Sequence, residues 1–209
     1  MSEESCDAMI VGKLNTIVSF AFGVTEQDKM DILNVMLYAQ TFSTYSIYDD
    51  WHSWFHYYRN RLESRGFERK GTVIGNSVVS GNIEDVRTAV FGIKGDSNSE
   101  QLADLVRRSF KALGVYKTAE AYFDGTIDLG QMQNFHIMPC ENTASDELSL
   151  LLCGLKLSSD VYSAGPRRLI LHFKGGSYRF NRDTYARHRE SVLESLEKDT
   201  TAYFRRLGI

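Results

Sequence analysis

The sequence is poor in the residues and patterns that mark specialised classes of protein. Only two of its 209 residues are prolines, Pro139 and Pro166, which argues against long disordered linkers. Neither sign of charge prevails: 24 basic and 27 acidic residues give a net charge of −3, with no indication of a nucleic-acid partner. Hydrophobic residues make up 43% of the chain and aromatic residues 12%, so we expect one domain with a packed core.

Cysteine is also scarce, and the apolar stretch near the start of the sequence is interrupted. The three cysteines, Cys6, Cys140 and Cys153, are odd in number and lack disulfide spacing, which is typical of a reducing compartment. The first residues, MSEES, are acidic where a secretory signal would be basic. The apolar stretch 9–24 is interrupted by Lys13 and is shorter than the about 20 apolar residues of a membrane span. We therefore expect a soluble, cytoplasmic protein without a transmembrane segment.

The strongest pattern in the chain is an aromatic stripe within residues 49–67. Its large apolar side chains recur at i, i+3, i+4, i+7 and i+11, and they are Trp51, Trp54, Phe55, Tyr58 and Leu62. This spacing places them on one face of a helix. Asp49 or Asp50 is suited to cap its start, and Gly66 to follow its end. The pattern predicts a helix that anchors the core.

Other helices are expected mainly in the first half of the chain. Helical spacing predicts them over 9–22, from Thr25 (with Asp28 in a capping box) to a turn at 42–48, over 82–91 after Asn82, from Ser97 or Ser99 to Gly114, and from Asn181 or Asp183 to Leu207. The helix before the turn and the aromatic helix are expected to form a helical hairpin.

Strands are expected mainly in the second half, where the apolar period changes to two. Short strands are predicted over 71–80, 132–140, 148–157, 168–174 and 178–180. Both faces of 148–157 are apolar, which predicts a central strand covered on both sides. Pro139 lacks an N–H, so the first strand of this set should end there or lie at an edge.

These patterns together predict an α+β fold. A helical hairpin and further helices would pack on a small antiparallel sheet formed by the C-terminal half. Residues 1–8 would form a flexible tail and residues 9–209 a single domain.

Asp50, His52 and His56 are the candidates for acid–base chemistry on the aromatic helix. The i, i+4 spacing of the two histidines fits two ligands of one metal, but Ser53 stands where an HExxH site has its glutamate. A solvated polar face is the simpler interpretation. We therefore predict no metal and no cofactor.

Cys140 and Cys153 are expected on neighbouring strands. His136 shares a strand face with Cys140, but residues i and i+4 of a strand lie about 13 Å apart, too far for direct contact. A cysteine nucleophile would need another histidine, for which His172 is the candidate. Buried structural thiols are the simpler prediction, with acylation or ligand contact as the alternatives.

A local basic patch is predicted from Arg167 and Arg168 together with Lys156 and Lys174 on adjacent strands. Most such charges only solvate a surface, and the sharper alternative is an anionic head group or phosphate. The sequence contains no P-loop, dinucleotide-binding fingerprint or nucleophile elbow.

The aromatic surplus indicates non-catalytic binding of an apolar small molecule or lipid in an aromatic-lined pocket. The expected ligand-binding residues are Trp51, Trp54, Phe55, Tyr58, Phe42, Cys140 and Cys153. Two alternatives remain open. One is a cofactor-independent enzyme of the isomerase or cyclase type that acts on an apolar substrate, and the other is a protein-interaction module. A homo-oligomer is also left open.

Overall fold

The structure is a computed structural model that describes residues 7–12, 14, 16–41, 46–47, 49–73, 77–91, 100–128, 133–159, 165–198 and 204–208. For residues 72–73, 90–91, 133 and 204–208 it describes the backbone only. The strands are β1 Asp7–Val11, β2 Thr16–Phe20, β3 Phe67–Val73, β4 Ser77–Ser80, β5 Gln133–Asn142, β6 Leu148–Ser159, β7 Leu169–Phe180 and β8 Phe204–Gly208. The helices are α1 Glu26–Thr41, α2 Trp51–Glu63, α3 Ile83–Phe91, α4 Glu100–Ala112, α5 Val115–Phe123, α6 Arg182–Ala186 and α7 Arg189–Glu197.

All the described strands belong to one sheet. Its order is β3-β7-β6-β5-β2-β1-β8, and β4 pairs with the part of β7 that β3 leaves free. Every pair is antiparallel except β2–β5, which is parallel. The α+β class is confirmed, and the sheet is larger than the small C-terminal sheet that was expected.

Helices cover the two faces of the sheet. We call front the face packed by α1 and α2, and back the face packed by α3, α4 and α5. Leu150 and Leu152 of β6 join the front cluster, whereas Leu151 and Leu155 join the back cluster. The prediction that this run is a central strand covered on both sides is therefore confirmed.

The helix expected over 9–22 is wrong, because this segment forms the β1–β2 hairpin. Ile10 and Ile17 join the back cluster, while Val18 and Phe20 join the front cluster. A strand buried on both faces shows no polar alternation, so its apolar residues also match a helical spacing. Asp7 and Ala8, expected in the tail, belong to β1, and residues 1–6 lie outside the described part.

The long helix expected from residue 181 to Leu207 is also wrong in its second half. It consists of α6 and α7, and residues 204–208 then form β8. Leu207 pairs with Ala8 of β1. The N–H and C=O groups along β1 need a partner strand, and a helical wheel contains no information about that demand.

Pro139 neither ends its strand nor lies at an edge, because β5 runs on to Asn142 between β2 and β6. The β5–β6 ladder is interrupted after Ile137, which pairs with Cys153, and resumes in the same register where Cys140 pairs with Leu150. The sheet thus tolerates the missing N–H as a local gap.

The predicted starts of two helices, α1 and α3, are confirmed by their capping contacts. The Asp28 N–H donates to Thr25 Oγ1 at 3.1 Å, which is the first hydrogen bond of the predicted capping box. The second contact differs, because the Thr25 hydroxyl and not its backbone N–H donates to Asp28 Oδ2, at 2.7 Å. Asn82 caps α3 by accepting from the Asp85 N–H at 2.9 Å. The expected caps Ser97 and Ser99 fall outside the described residues, as does most of the turn at 42–48.

The chain from 71 to 80, expected as one strand, divides into the end of β3 and β4, whereas the runs 168–174 and 178–180 join into β7. The helix α5 was not expected. None of the helices in the described part of the chain is long and apolar enough to span a membrane.

Truncation of Trp54 tests how much the α2 packing contributes. Trp54 is 2% exposed, and we expect Trp54→Ala to lower the free energy of unfolding by about 3–5 kcal/mol, as for other buried large aromatics. His56→Ala, on the exposed side of the same helix, should change it by less than about 0.5 kcal/mol. Urea denaturation measures both, and equal losses would mean that the helix is placed with the wrong face inward.

Candidate functional site

The aromatic face of α2, meaning Trp51, Trp54, Phe55 and Tyr58, packs on the front of the sheet. All four side chains are at most 2% exposed. The Trp54 and Tyr58 rings are stacked with centroids 5.0 Å apart, and Trp54 lies 4.9 Å from the ring of His136. The predicted aromatic stripe is confirmed as a buried face.

Close approach of this face to β6 depends on Gly154. A Cβ added at this glycine would lie 2.7 Å from Phe55 Cε2 and 3.2 Å from Trp51 Cζ2. The two aromatic rings therefore occupy the space that a side chain on this strand would need. These contacts make the aromatic face part of the core at this point.

His136 lies completely buried beneath the aromatic face. Its Nε2 accepts a hydrogen bond from Trp51 Nε1–H at 3.2 Å, which places the ring proton of a neutral imidazole on Nδ1. Burial lowers the pKa of His136 to about 3, so the ring stays neutral. Nδ1 has no hydrogen-bond partner among the described residues. The histidine serves the packing of Trp51 and is unsuited to proton exchange with solvent.

The two cysteines do not belong to one site. Cys140 lies in the front cluster and Cys153 in the back cluster, on opposite faces of the sheet. Both thiols are buried, and burial raises the pKa of each well above its usual range. A thiol that stays protonated is a poor nucleophile. The structural interpretation of the thiols agrees with this placement.

Asp50, His52 and His56 lie in different local environments. Asp50 Oδ1 accepts from the Ser53 N–H at 3.0 Å and caps α2, and hydrogen bonds from Ser53 lower the pKa of Asp50. His56 Nε2 contacts Asn60 Nδ2 at 3.1 Å on the exposed side. In the part of the chain that the structure describes, no three His, Cys, Asp or Glu residues are placed to hold a metal ion.

His52 belongs to a group that we call the front cationic cluster, which consists of His52, Lys156, His172 and Lys174. Lys156 Nζ lies 5.8 Å and Lys174 Nζ 5.5 Å from the centroid of the Trp51 ring. The expected juxtaposition of the two lysines is therefore present, beside the start of α2.

Arg167 and Arg168 do not join this cluster. Arg167 forms an ion pair with Asp128 at 3.0 Å and donates to the Tyr122 and Ile127 carbonyl oxygens. The Tyr122 hydroxyl donates to the Arg168 carbonyl oxygen at 3.1 Å. Because Tyr122 belongs to the back cluster, the two arginines lie on the other side of the sheet. The expected ligand-binding residue Phe42 lies outside the described part of the chain.

A second polar region, the basic pocket, lies among the helices of the back layer. It has a volume of about 450 Å³ and is lined by Arg87 of α3, by residues of α4 and its end, and by residues of α5. The complete lining is Arg87, Arg107, Arg108, Lys111, Tyr116, Lys117 and Glu120.

Arg107, Arg108 and Lys111 lie within the helix that the sequence predicted up to Gly114, but the pocket was not predicted. Its other wall is α5, whose buried residues Val115, Ala119 and Tyr122 follow the i, i+4, i+7 spacing after Gly114. That spacing was the available signal. It would have predicted a short helix antiparallel to α4.

Comparisons with known proteins do not assign a family. No protein-family model matches this chain, and no curated protein matches it. Among solved structures, a delta-endotoxin is 13% identical, with 80% of this chain and 81% of that chain covered and a TM-score of 0.43. The structure of the Evf virulence factor is 12% identical, with 94% and 82% covered and a TM-score of 0.41. At these TM-scores neither likeness carries a functional conclusion.

The Gly154 contact generates a stability prediction. Gly154→Ala should lower the free energy of unfolding by about 1–3 kcal/mol, because its Cβ would force the Phe55 and Trp51 rings from their positions. The matched control is Gly81→Ala, since nothing lies within 4 Å of a Cβ at that position. Chemical denaturation of the two variants provides the comparison. A neutral Gly154→Ala would show that the rings are not closely packed there.

The thiols can be tested by alkylation of the native protein. We expect Cys140 and Cys153 to stay unmodified by a thiol reagent over the time in which both react in denaturant, because each is 0% exposed and protonated. Peptide mass mapping identifies the modified positions. Fast native labelling of Cys140 would contradict the structural interpretation and restore a reactive cysteine.

Proposed function

We propose that this chain is a non-catalytic binding protein for an apolar small molecule or lipid that carries an acidic head group. The observation that carries the proposal is the basic pocket, which combines a volume of about 450 Å³ with a strongly cationic lining. Ligand pockets for small molecules typically measure about 300–1,000 Å³.

The walls of this pocket suit an apolar body. Arginine and lysine side chains present several methylene groups before their charged ends, and a ligand that packs along these stems leaves the charges near the rim. Tyr116 adds an aromatic ring to the same lining. An amphipathic ligand fits such walls better than a fully polar one.

The charges of the pocket favour an acidic head. Glu84 and Glu120 pair with Arg87, and Asp104 pairs with Arg107 and Arg108. The lining has five cationic side chains and one acidic side chain, Glu120, so positive charge prevails along its walls. Lys111 and Lys117 form no ion pair with any residue that the structure describes. A carboxylate or phosphate head would neutralise this positive charge.

Tyr116 supplies a hydrogen-bond donor for the head. Its hydroxyl oxygen is buried and has no hydrogen-bond partner among the described residues. Burial raises the pKa of Tyr116, although Arg87 and Arg107 act in the opposite direction, so the hydroxyl keeps its proton at neutral pH. An unsatisfied buried hydroxyl costs free energy, and an acceptor oxygen of the ligand would remove that cost.

The aromatic face remains part of the proposal as scaffold. Its contacts with His136 and Gly154 place Trp51 and Phe55 against the sheet, so we assign the ligand to the basic pocket of the back layer. Cys153 and Cys140 are separated by the sheet and are assigned no ligand contact.

The head group is tested with a matched pair of ligands. Dodecanoate should raise the melting temperature in a dose-dependent way, because a ligand at a hundredfold excess over its dissociation constant stabilises a fold by about 2.7 kcal/mol. Dodecanol has the same chain without the acid and should have a much smaller effect. A flat response to dodecanoate in thermal shift and calorimetry would overturn the proposal, and equal responses would show that the cations do not recognise the head.

The position of the site is tested by substitution. The double variant Lys111→Gln/Lys117→Gln should weaken dodecanoate binding about five- to tenfold, as expected for the loss of two partly solvated charges. Tyr116→Phe removes only the hydroxyl and should weaken binding as well. Lys70→Gln, an exposed change on β3, is the control. Unchanged affinity in the double variant would place the ligand elsewhere.

A further inference from the structure

We propose that the front face of the sheet has a separate binding site for a tetrahedral dianion of the phosphate class. The site consists of Lys156 and His172, with Lys174 beside them and His52 of α2 completing it. It does not depend on the function proposed above, since it uses other residues on the opposite face of the sheet.

The strand register brings three of these side chains together. Lys156 of β6 pairs directly with His172 of β7, and Lys174 lies two residues further along β7 on the same face. Side chains directly opposite each other start about 4.5–5.5 Å apart, and diagonal neighbours about 7–8 Å apart. The position of both Nζ atoms against the Trp51 ring confirms that the lysines converge beside α2.

The described residues around these positive charges neutralise them only in part. Neither Lys156 nor Lys174 has an ion pair within the described ranges. The Asp50 carboxylate acts on both Lys174 and His52, but it is engaged as the helix cap by the Ser53 N–H. Arg59 adds a further positive charge and pairs with Glu63 at 3.7 Å. Two lysines beside a single carboxylate leave an excess of positive charge, and that excess favours an anion between them.

His172 adds hydroxyl donors to the site. Its Nδ1 lies 2.8 Å from Ser77 Oγ of β4, and its Nε2 lies 3.1 Å from Ser158 Oγ of β6. A protonated ring donates to both hydroxyls, and each hydroxyl then has its own proton available for an oxygen of the ligand. Two ammonium groups and two hydroxyl groups suit a tetrahedral group that has several acceptor oxygens.

The electrostatics of the four groups agree with this geometry. Burial is the main cause that lowers the pKa of His172, and the charges of Lys156 and His52 lower it further. Partial desolvation is the main cause that lowers the pKa of His52, and the charges of Lys174 and Lys156 add to it. The Asp50 carboxylate acts in the opposite direction. Burial, then Arg59 and Lys156, lowers the pKa of Lys174. Both histidines are therefore mostly neutral in the free protein at neutral pH, and a bound dianion would favour their charged forms.

Titration calorimetry at low ionic strength and a pH of about 7.5 tests the site. Inorganic phosphate and phenyl phosphate should both bind, since each has the dianionic phosphoryl group, and the tighter of the two identifies a free or an esterified phosphate as the better ligand. Lys156→Gln and Lys174→Gln should each weaken binding about tenfold or more, the size of a lost hydrogen bond to a charged group. Lys198→Gln, which makes the same charge change at the exposed end of α7, should have little effect.

The absence of binding heat for the unmodified protein with both ligands would overturn the proposal without any variant. Equal losses in Lys198→Gln and in the cluster variants would also overturn it, because they would reveal only an effect of net charge. The melting temperature of each variant separates a lost site from a lost fold. Unchanged dodecanoate binding in Lys156→Gln would show that the two sites are independent.

A pH series with inorganic sulfate isolates the histidines, because the charge of sulfate is constant over the range used. Binding takes up protons on His52 and His172, so affinity should rise as the pH falls from about 7.5 to about 5.5, through the usual pKa of histidine. His172→Asn should reduce this rise while leaving weak binding by the lysines. A pH-independent affinity in the unmodified protein would exclude the histidines from the site.

Discussion

The contact between the aromatic face of α2 and Gly154 is the constraint on which the front half of the molecule depends. One strand position without a side chain lets Phe55 and Trp51 approach the sheet closely. The indole N–H of Trp51 then reaches His136, so a polar atom of the helix is satisfied inside the core. The same packing brings the start of α2, where His52 lies, close to Lys156 of β6 and Lys174 of β7. Core packing and the front cationic cluster therefore share one cause.

The part of the fold that follows from local signals could be predicted from the sequence. Trp51, Trp54, Phe55, Tyr58 and Leu62 all proved to be buried, because a period of 3.6 on a half-exposed helix leaves a clear stripe. Capping at Thr25 and Asn82 was predicted for the same reason, since a cap involves residues only three positions apart. The two apolar faces of the central strand were equally visible in the sequence.

The remaining errors concern segments whose structure depends on contacts with distant parts of the chain. The β1–β2 hairpin was assigned to a helix because both of its faces are buried, and β8 was missed because its partner, β1, lies at the other end of the sequence. For the functional residues, too, local patterns could be predicted and tertiary contacts could not. Strand period placed Lys156 and Lys174 together, but only the tertiary structure joins them to His52. The tertiary structure also places Cys140 and Cys153 on opposite faces of the sheet. The basic pocket was not predicted because one of its walls is α5, a helix that was not expected.

The parallel pairing of β2 with β5 has a consequence for the order of folding. Phe20 pairs with Cys140, about 120 residues further along the chain, so this contact closes a long loop and carries a high entropic cost. The strands β5, β6 and β7 are joined antiparallel in sequence order and can form early as a meander. During synthesis the β1–β2 hairpin is complete long before β5 exists, and both of its apolar faces must wait for their partners. The β1–β2 hairpin thus leaves apolar surface of the newborn chain open to aggregation until β5 has been made.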